Sequence, residues 1–275
     1  MTAVHDWVCT LDSSLSTLGL TVEDGLAVLT INRPDARNAI NEAMTNELLE
    51  IAVGLRQRTD LRALLVRAAG PAFTVGGDLG VFAGTDPATL PGLLHSMAGK
   101  YHRALTILAN LDIPVVAAVH GAVAGGGLGL MNVADIVIAA DDCKFAVAFG
   151  RLGLSGDGGA SWFLPRLIGL RRTAQLYLQD APFSAAEALE WGLLTMVVAP
   201  DQLETIATET ARRLSSGPTI GLGEILQLLR RSADESLESQ FDLERDALAR
   251  TSGTADGYAA IRSFVEKTQP LFEGR

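Results

Sequence analysis

The stretch HGAVAGGGLGL, His120 to Leu130, places five glycines in eleven residues and runs directly into an apolar segment. The residues before it, Pro114 to Val119 (PVVAAV), are an unbroken aliphatic run, which predicts a strand buried on both faces. From Gly125 onward the pattern predicts a helix that continues through Leu130 toward Val133. The glycines therefore fall at a strand exit and a helix N-terminus, where free backbone N–H groups and the positive end of the helix dipole converge. Bare backbone there permits either tight packing of helix on sheet or close approach of an anionic oxygen. A dinucleotide fingerprint is absent, because Gly125-x-Gly127 is followed by Leu130 and Gly127-x-Gly129 by Asn132. No Gly-Lys-Ser/Thr of a P-loop occurs, and Gly153-Leu154-Ser155-Gly156 is followed by Asp157, which breaks a serine-hydrolase elbow.

Outward from this segment, Leu26 to Ile31, Ala63 to Val66 and Ile136 to Ala140 are further short apolar runs, so a largely parallel sheet is expected. Between them Asn41 to Arg58 and Leu90 to Leu111 have helical spacing, with Asn41 as a capping residue. After about Gly192 the character changes. One strand candidate, Leu194 to Val198, precedes the amphipathic helices Leu203 to Ser216, Ile220 to Arg231 and Glu235 to Thr251. The chain divides into a lead-in at 1–17, an α/β core at 18–200 and a helical part at 201–275, without internal repeats.

Composition narrows the function classes. With 275 residues, 48% of them hydrophobic, the chain has enough apolar side chain for a large core. A net charge of −10 with scattered basic residues argues against nucleic acid as partner. Cys9 and Cys143 are far apart and form neither a CxxC pair nor a disulfide framework, which points to a reducing, cytoplasmic setting. No apolar run reaches the roughly 18 residues of a membrane span, and the N-terminus lacks the apolar core of a signal peptide. His95 and His102 are seven apart and share a helix face, but without a third ligand they read as surface or packing residues rather than a metal site. His120 reads as structural, and Trp162 and Trp191 as packing residues.

A second glycine-rich loop, GPAFTVGGDL (Gly70 to Leu79), follows the strand at Ala63 to Val66, with Asp78 placed to cap a helix running through Phe82. Two helix-opening loops, each after a buried strand, can supply one N–H apiece to a single oxygen, the construction of an oxyanion hole.

FTVGGDL resembles the pattern F-S-A-G-A-D-L. PVVAAVHGAVAGGGLGLMNVADIVIA resembles P-x-I-A-A-x-x-G-x-A-x-G-G-G-x-x-L-x-x-x-x-D, and NRPDARNAI resembles N-R-P-x-x-x-N-A-L. These motifs, in this order, are those of the crotonase (enoyl-CoA hydratase and isomerase) superfamily, and the likeness continues to FVEKTQPLF, over about residues 20 to 272. The resemblance implies an α/β spiral of ββα units with C-terminal helices that pack between subunits in trimers or hexamers. It also implies an acyl-CoA thioester as ligand, with coenzyme A as part of the substrate and no other cofactor. By position, Gly77 and Gly126 match the two backbone donors to the thioester oxygen. Ala36, Arg37 and Ala39 match the pantetheine and nucleotide path, and Phe264 and Lys267 match the segment that reaches a neighbouring subunit's nucleotide. Val75, Asp78, Leu79, Gly125, Phe149 and Leu154 complete the expected substrate-binding set.

The departures carry as much weight. The two positions where the family's hydratases hold glutamates are Gly129 and Phe149 here, and neither side chain transfers a proton. Within GLSGDGG, Asp157 matches the working carboxylate of the similar ring-epoxide and enoyl-CoA isomerases and of the 4-chlorobenzoyl-CoA dehalogenases. The dehalogenases have tryptophan at the position of Phe149. Asp157 also reads as an N-cap of a helix from Gly158 to Leu167. The expectation is an enoyl-CoA isomerase with Asp157 as its one acid/base group. The alternatives are a hydratase-like enzyme of altered chemistry and a non-catalytic acyl-CoA binder.

Overall fold

A computed structural model describes residues 15–274. Cys9 and most of the expected lead-in lie outside the described residues. The chain enters through Ser16 and Thr17, whose hydroxyls and amides donate to the Glu47 carboxylate at 2.6–3.0 Å. Strand β1 (Leu18–Glu23) then turns at Asp24 and Gly25, both with positive φ, into β2 (Leu26–Ile31). Helix α1 (Glu42–Gln57) follows, and Asn41 caps it as expected, its Oδ1 accepting from the Met44 N–H at 3.0 Å.

β3 (Ala63–Ala68), β4 (Val115–Val119), β6 (Ile136–Ala140) and β9 (Met196–Val198) join β1 and β2 in a six-stranded sheet of order β1-β2-β3-β4-β6-β9. Every pairing except β1–β2 is parallel, in accord with the apolar runs. A second sheet holds β5 (Ala122–Ala124), β7 (Lys144–Ala146) and β8 (Phe183–Ser184) in the order β5-β7-β8. The chain thus feeds one strand to the large sheet and the next to the small one, β4 then β5 and β6 then β7, which is the expected spiral of ββα units. Strand β5 lies inside the glycine stretch, so the helix expected from Gly125 begins two residues later, as α4 (Gly127–Asn132).

Alternation along the large sheet sorts its side chains into two cores. Leu29, Ile31, Leu64, Val66, Val115 and Ala117 face α1 and α3 (Leu90–Ala109). Leu26, Leu65, Val116, Ala118 and Ile138 face α8 (Leu203–Ser215), which buries Leu203, Ala207 and Ala211 against them. The expected boundary at residue 200 falls just before this helix. α2 (Leu79–Ala83) follows β3, α5 (Ala160–Ile168) and α6 (Leu170–Gln179) lie between β7 and β8 in the chain, and α7 (Ala185–Glu190) lies between β8 and β9.

The last helices, α9 (Thr219–Arg231), α10 (Leu237–Ser252) and α11 (Ala255–Glu266), differ in kind. They bury few side chains and leave Leu229, Phe241, Leu248, Ile261, Phe264 and Val265 more than half exposed. Among the described residues no helix is long and apolar enough to cross a membrane, and none of their His, Cys, Asp and Glu side chains group as a metal site.

Candidate active site

A cavity of about 380 Å³ opens where the two glycine loops meet the segment from Ala148 to Asp157, closed on its other side by α3. Its wall is mostly apolar: Val75, Leu79, Phe82, Met97, Phe149 and Leu154 supply carbon surface. Into this surface project the backbones of Gly77 and Gly126 and the side chain of Asp157.

The two loops are locked by close backbone contact. Gly76 has φ +86°, and a Cβ there would meet the Ala124 carbonyl oxygen at 2.8 Å, so the loops touch backbone to backbone. Ile40 holds the first loop in place: its N–H donates to the Gly76 carbonyl at 2.7 Å and its carbonyl accepts from the Asp78 N–H at 3.0 Å. This pattern skips the N–H of Gly77. Gly126 occupies the N-cap position of α4, where an amide has no intrahelical partner. Among the described residues neither the Gly77 nor the Gly126 N–H donates to a protein acceptor. The Tyr101 hydroxyl, fully buried under the second loop, donates to the Gly126 carbonyl at 2.8 Å and fixes that peptide.

Asp157 stands beside the second donor, its Oδ2 3.6 Å from where a Cβ on Gly126 would be. Its other oxygen, Oδ1, lies 2.5 Å from Nε2 of His102 on α3. Burial, and then the negative charge of Asp157, push the Tyr101 phenol far above its ordinary value, and the same causes raise Tyr177. Both hydroxyls therefore stay neutral. The helix-cap reading of Asp157 is not realised: α5 starts at Ala160 with Gly159 at its N-cap and no side-chain cap, which frees the carboxylate for the cavity.

The segment carrying Asp157 is held from behind by Asp180. This buried carboxylate accepts from the Ala148 N–H at 2.8 Å, the Arg151 N–H at 2.9 Å and the Arg151 Nε–H at 3.0 Å. Phe149 lies between, its ring parallel to that of Tyr177 with centroids 6.5 Å apart.

Residue 129 explains the loss of one glutamate position. A Cβ on Gly129 would sit 1.9 Å from the Gly158 carbonyl oxygen, so the backbone following Asp157 fills the space a side chain there would need. The other position is Phe149, almost fully buried and apolar. Asp157 is the one carboxyl that lines the cavity.

Of the residues read from sequence, Val75, Gly77, Leu79, Gly125, Gly126, Phe149, Leu154 and Asp157 line the cavity. Asp78 does not. It pairs with the Arg33 guanidinium at 3.0 Å and caps α2 by accepting from the Val81 N–H, so its carboxylate braces the loop instead of facing the cavity. Ala36, Arg37 and Ala39 also lie outside the wall, in and after the 3₁₀ turn Pro34–Ala36 that leads to the wall residue Ile40. Phe264, 87% exposed, and Lys267, at the end of α11, are not part of this chain's cavity.

The helical spacing from Leu90 to Leu111 announces α3 but not its place in the site. His95 and His102 both line the cavity, and His102 is the direct partner of Asp157 rather than a surface or packing residue. Their spacing of seven was the available signal for a shared face, but the partner lies 55 residues further on.

Comparison with known proteins gives the family. The profile of the enoyl-CoA hydratase/isomerase family matches residues 21–275. A 1,2-epoxyphenylacetyl-CoA isomerase of Escherichia coli is 37% identical over 92% of this chain and 97% of its own length. A probable enoyl-CoA hydratase of Rhodobacter capsulatus is 34% identical over 95% of this chain and 100% of its own length. The crystal structure of a putative enoyl-CoA hydratase/isomerase from Mycobacterium abscessus superposes with a TM-score of 0.89 at 35% identity, covering 94% of this chain and 100% of that one. With its two unpaired backbone donors and single carboxylate set in this fold, the chain belongs to the enoyl-CoA hydratase/isomerase family.

Proposed function

We propose that the protein is an enoyl-CoA isomerase that moves a double bond by one proton transfer. The observation that carries this reading is the convergence of two unpaired N–H groups and one carboxylate in a mostly apolar cavity whose wall holds no second carboxyl. A 3-enoyl-CoA binds with its thioester oxygen on the N–H groups of Gly77 and Gly126. Asp157 takes a proton from C2 through Oδ2, the oxygen on the Gly126 side, and the electron pair moves onto the thioester oxygen as an enolate. The two donors stabilise that charge where it develops, a contribution of about 3 to 4 kcal/mol for one such donor. The carboxyl then delivers a proton to C4, and the double bond comes to rest between C2 and C3. Water addition needs a second group to position and activate water, and Gly129 and Phe149 provide none.

The test is to follow 3-enoyl to 2-enoyl conversion and 2-enoyl hydration side by side. Isomerisation should dominate; hydration that outpaces it would sink the reading. A hydratase-like enzyme of altered chemistry would show the second result. A protein that binds acyl-CoA without turnover would show neither activity, nor exchange of the C2 hydrogen with solvent.

A second reading shares the site. The 37% identical relative bears the name of a ring-epoxide isomerase, and the Phe82 and Phe149 rings in the cavity wall suit a flat acyl group. Including a ring-epoxide acyl-CoA in the substrate panel decides between them.

For the assembly, the exposed apolar faces of α10 and α11 support burial against further copies of this chain as a trimer or hexamer. Light scattering at micromolar concentration checks this, and a monodisperse monomer would refute it.

A further inference from the structure

His102 faces two partners that make opposite demands on one nitrogen. Its Nε2 lies 2.5 Å from Asp157 Oδ1, and it accepts the Gly158 backbone N–H at 3.3 Å. An ionised Asp157 requires a hydrogen on Nε2, because two lone pairs cannot face each other at that distance. The Gly158 N–H requires a lone pair on the same atom. The single lone pair of Nε2 cannot serve both an Asp157 proton and the Gly158 N–H, so the 2.5 Å contact takes precedence over the 3.3 Å one, and it holds one hydrogen between Oδ1 and Nε2. With that hydrogen on Oδ1 the pair has the form that Asp157 takes after it has removed the C2 proton. The imidazole is half exposed, with 50% of its side-chain surface open, so a proton that reaches it has access to water.

We propose that His102 is the proton-holding partner of Asp157: it stabilises the protonated carboxyl of the enolate state and exchanges that proton with solvent. The inference rests on the isomerase reading of Asp157 and deepens it. In balanced form, the C2–H bond breaks and the proton goes to Asp157 while the electron pair goes to the thioester oxygen. The carboxyl O–H then breaks as an N–H forms on Nε2, giving a carboxylate and an imidazolium. The imidazolium exchanges hydrogen with water, returns a proton to the carboxylate, and the carboxyl delivers it to C4. Direct return without exchange competes with this route. His102 acts through Asp157 and not on the substrate.

The experiment runs 3-hexenoyl-CoA in D₂O with the wild type and with His102→Gln, whose amide still hydrogen-bonds to Asp157 but does not carry an acidic proton. Mass spectrometry reads deuterium at C4 of the 2-enoyl product. The wild type should place deuterium at C4, and His102→Gln should lower that share several-fold even where its turnover is slower. A purely structural role would change the rate and leave the isotope share alone. Equal shares in the two proteins, or no deuterium at C4 in the wild type, overturn the proposal. A parallel measurement follows exchange of the C2 hydrogens of hexanoyl-CoA, which needs proton escape but no double-bond shift. His102-dependent C2 exchange without isomerisation would retain this proposal and sink the isomerase reading; absence of both in the wild type would sink the two together.

Discussion

The segment from Gly121 to Gly129 and the segment from Val147 to Gly158 form opposite halves of the site, and they are held in different ways. In the first, backbone meets backbone: Gly76 against Ala124, Gly121 against Pro71 and Gly129 against Gly158 leave no room for a Cβ. In the second, side chains do the holding, with Asp180 on the amides of Ala148 and Arg151 and His102 on Asp157. The second also leaves Leu152 and Leu154 more than 40% exposed, whereas Leu128 and Leu130 of the first are buried. The N–H groups of Gly77 and Gly126 are therefore set mainly by backbone packing, and the Asp157 carboxylate, beyond the Gly158 backbone contact, by a few replaceable side-chain contacts. Reactivity should thus be tunable from the second segment without disturbing the first.

The largest effect should come from Asp157→Asn, which keeps shape but removes the one base. Isomerisation should fall by about 10²- to 10⁴-fold, with acyl-CoA affinity nearly unchanged because neither N–H donor lies on the Asp157 segment. Near-wild-type rates in a steady-state assay would show that the second segment does not carry the chemistry. Next comes Gly126→Pro, which deletes a donor N–H from the first segment and should cost about 10²- to 10³-fold in kcat. A folded variant that retains turnover would remove Gly126 from the oxyanion hole.

These two halves were not equally legible. The first could be read because the local pattern says what it does: an aliphatic strand, a glycine run and a helix are contiguous in PVVAAVHGAVAGGGLGL. Even there β5 was hidden, since Ala122–Ala124 forms its ladder with β7 some twenty residues on and its own apolar run is only three residues long between glycines. The second half was legible only at Phe149, Leu154 and Asp157, through their place in a motif. Its supports, His102 and Asp180, come from α3 and the end of α6, and no local spacing announces a contact across 55 or 32 residues. Asp78 misled for the opposite reason: its motif position suggested the cavity, but the Arg33 guanidinium is a nearer partner for its charge.

Gly129→Glu asks whether the two segments can be wedged apart. A glutamate there restores the residue type of a hydratase, yet its Cβ would collide with the Gly158 carbonyl. The outcome expected is destabilisation by about 1 to 3 kcal/mol from overpacking, read as a lower denaturant midpoint, with no gain in 2-enoyl hydration. A stable variant that hydrates would mean that the Asp157 segment yields easily.

The smallest effect tests the support of that segment directly. Asp180 is held below the ordinary carboxylate range chiefly by the Arg151 N–H, with help from the Arg151 side chain and the Ala148 N–H. A carboxyl whose folded-state pKa is depressed stabilises the protein above its unfolded value of about 4 and loses that contribution as pH falls through the folded value. Asp180→Asn keeps the shape and one acceptor but exchanges charged hydrogen bonds for neutral ones, a loss of about 1 kcal/mol. For a chain of this size that corresponds to a Tm lower by about 2 to 4 °C near neutral pH. Because wild-type Asp180 becomes neutral in acid, the gap between the two proteins should narrow as pH is lowered below about 4 and close as it falls through the depressed folded value. The variant should also bind acyl-CoA more weakly, since Phe149 and Leu154 lie on the released segment, while the oxyanion donors stay in place. A Tm gap that is constant across this range would show that the Asp180 charge does not hold the segment, and that the two halves of the site are fixed by the same close packing after all.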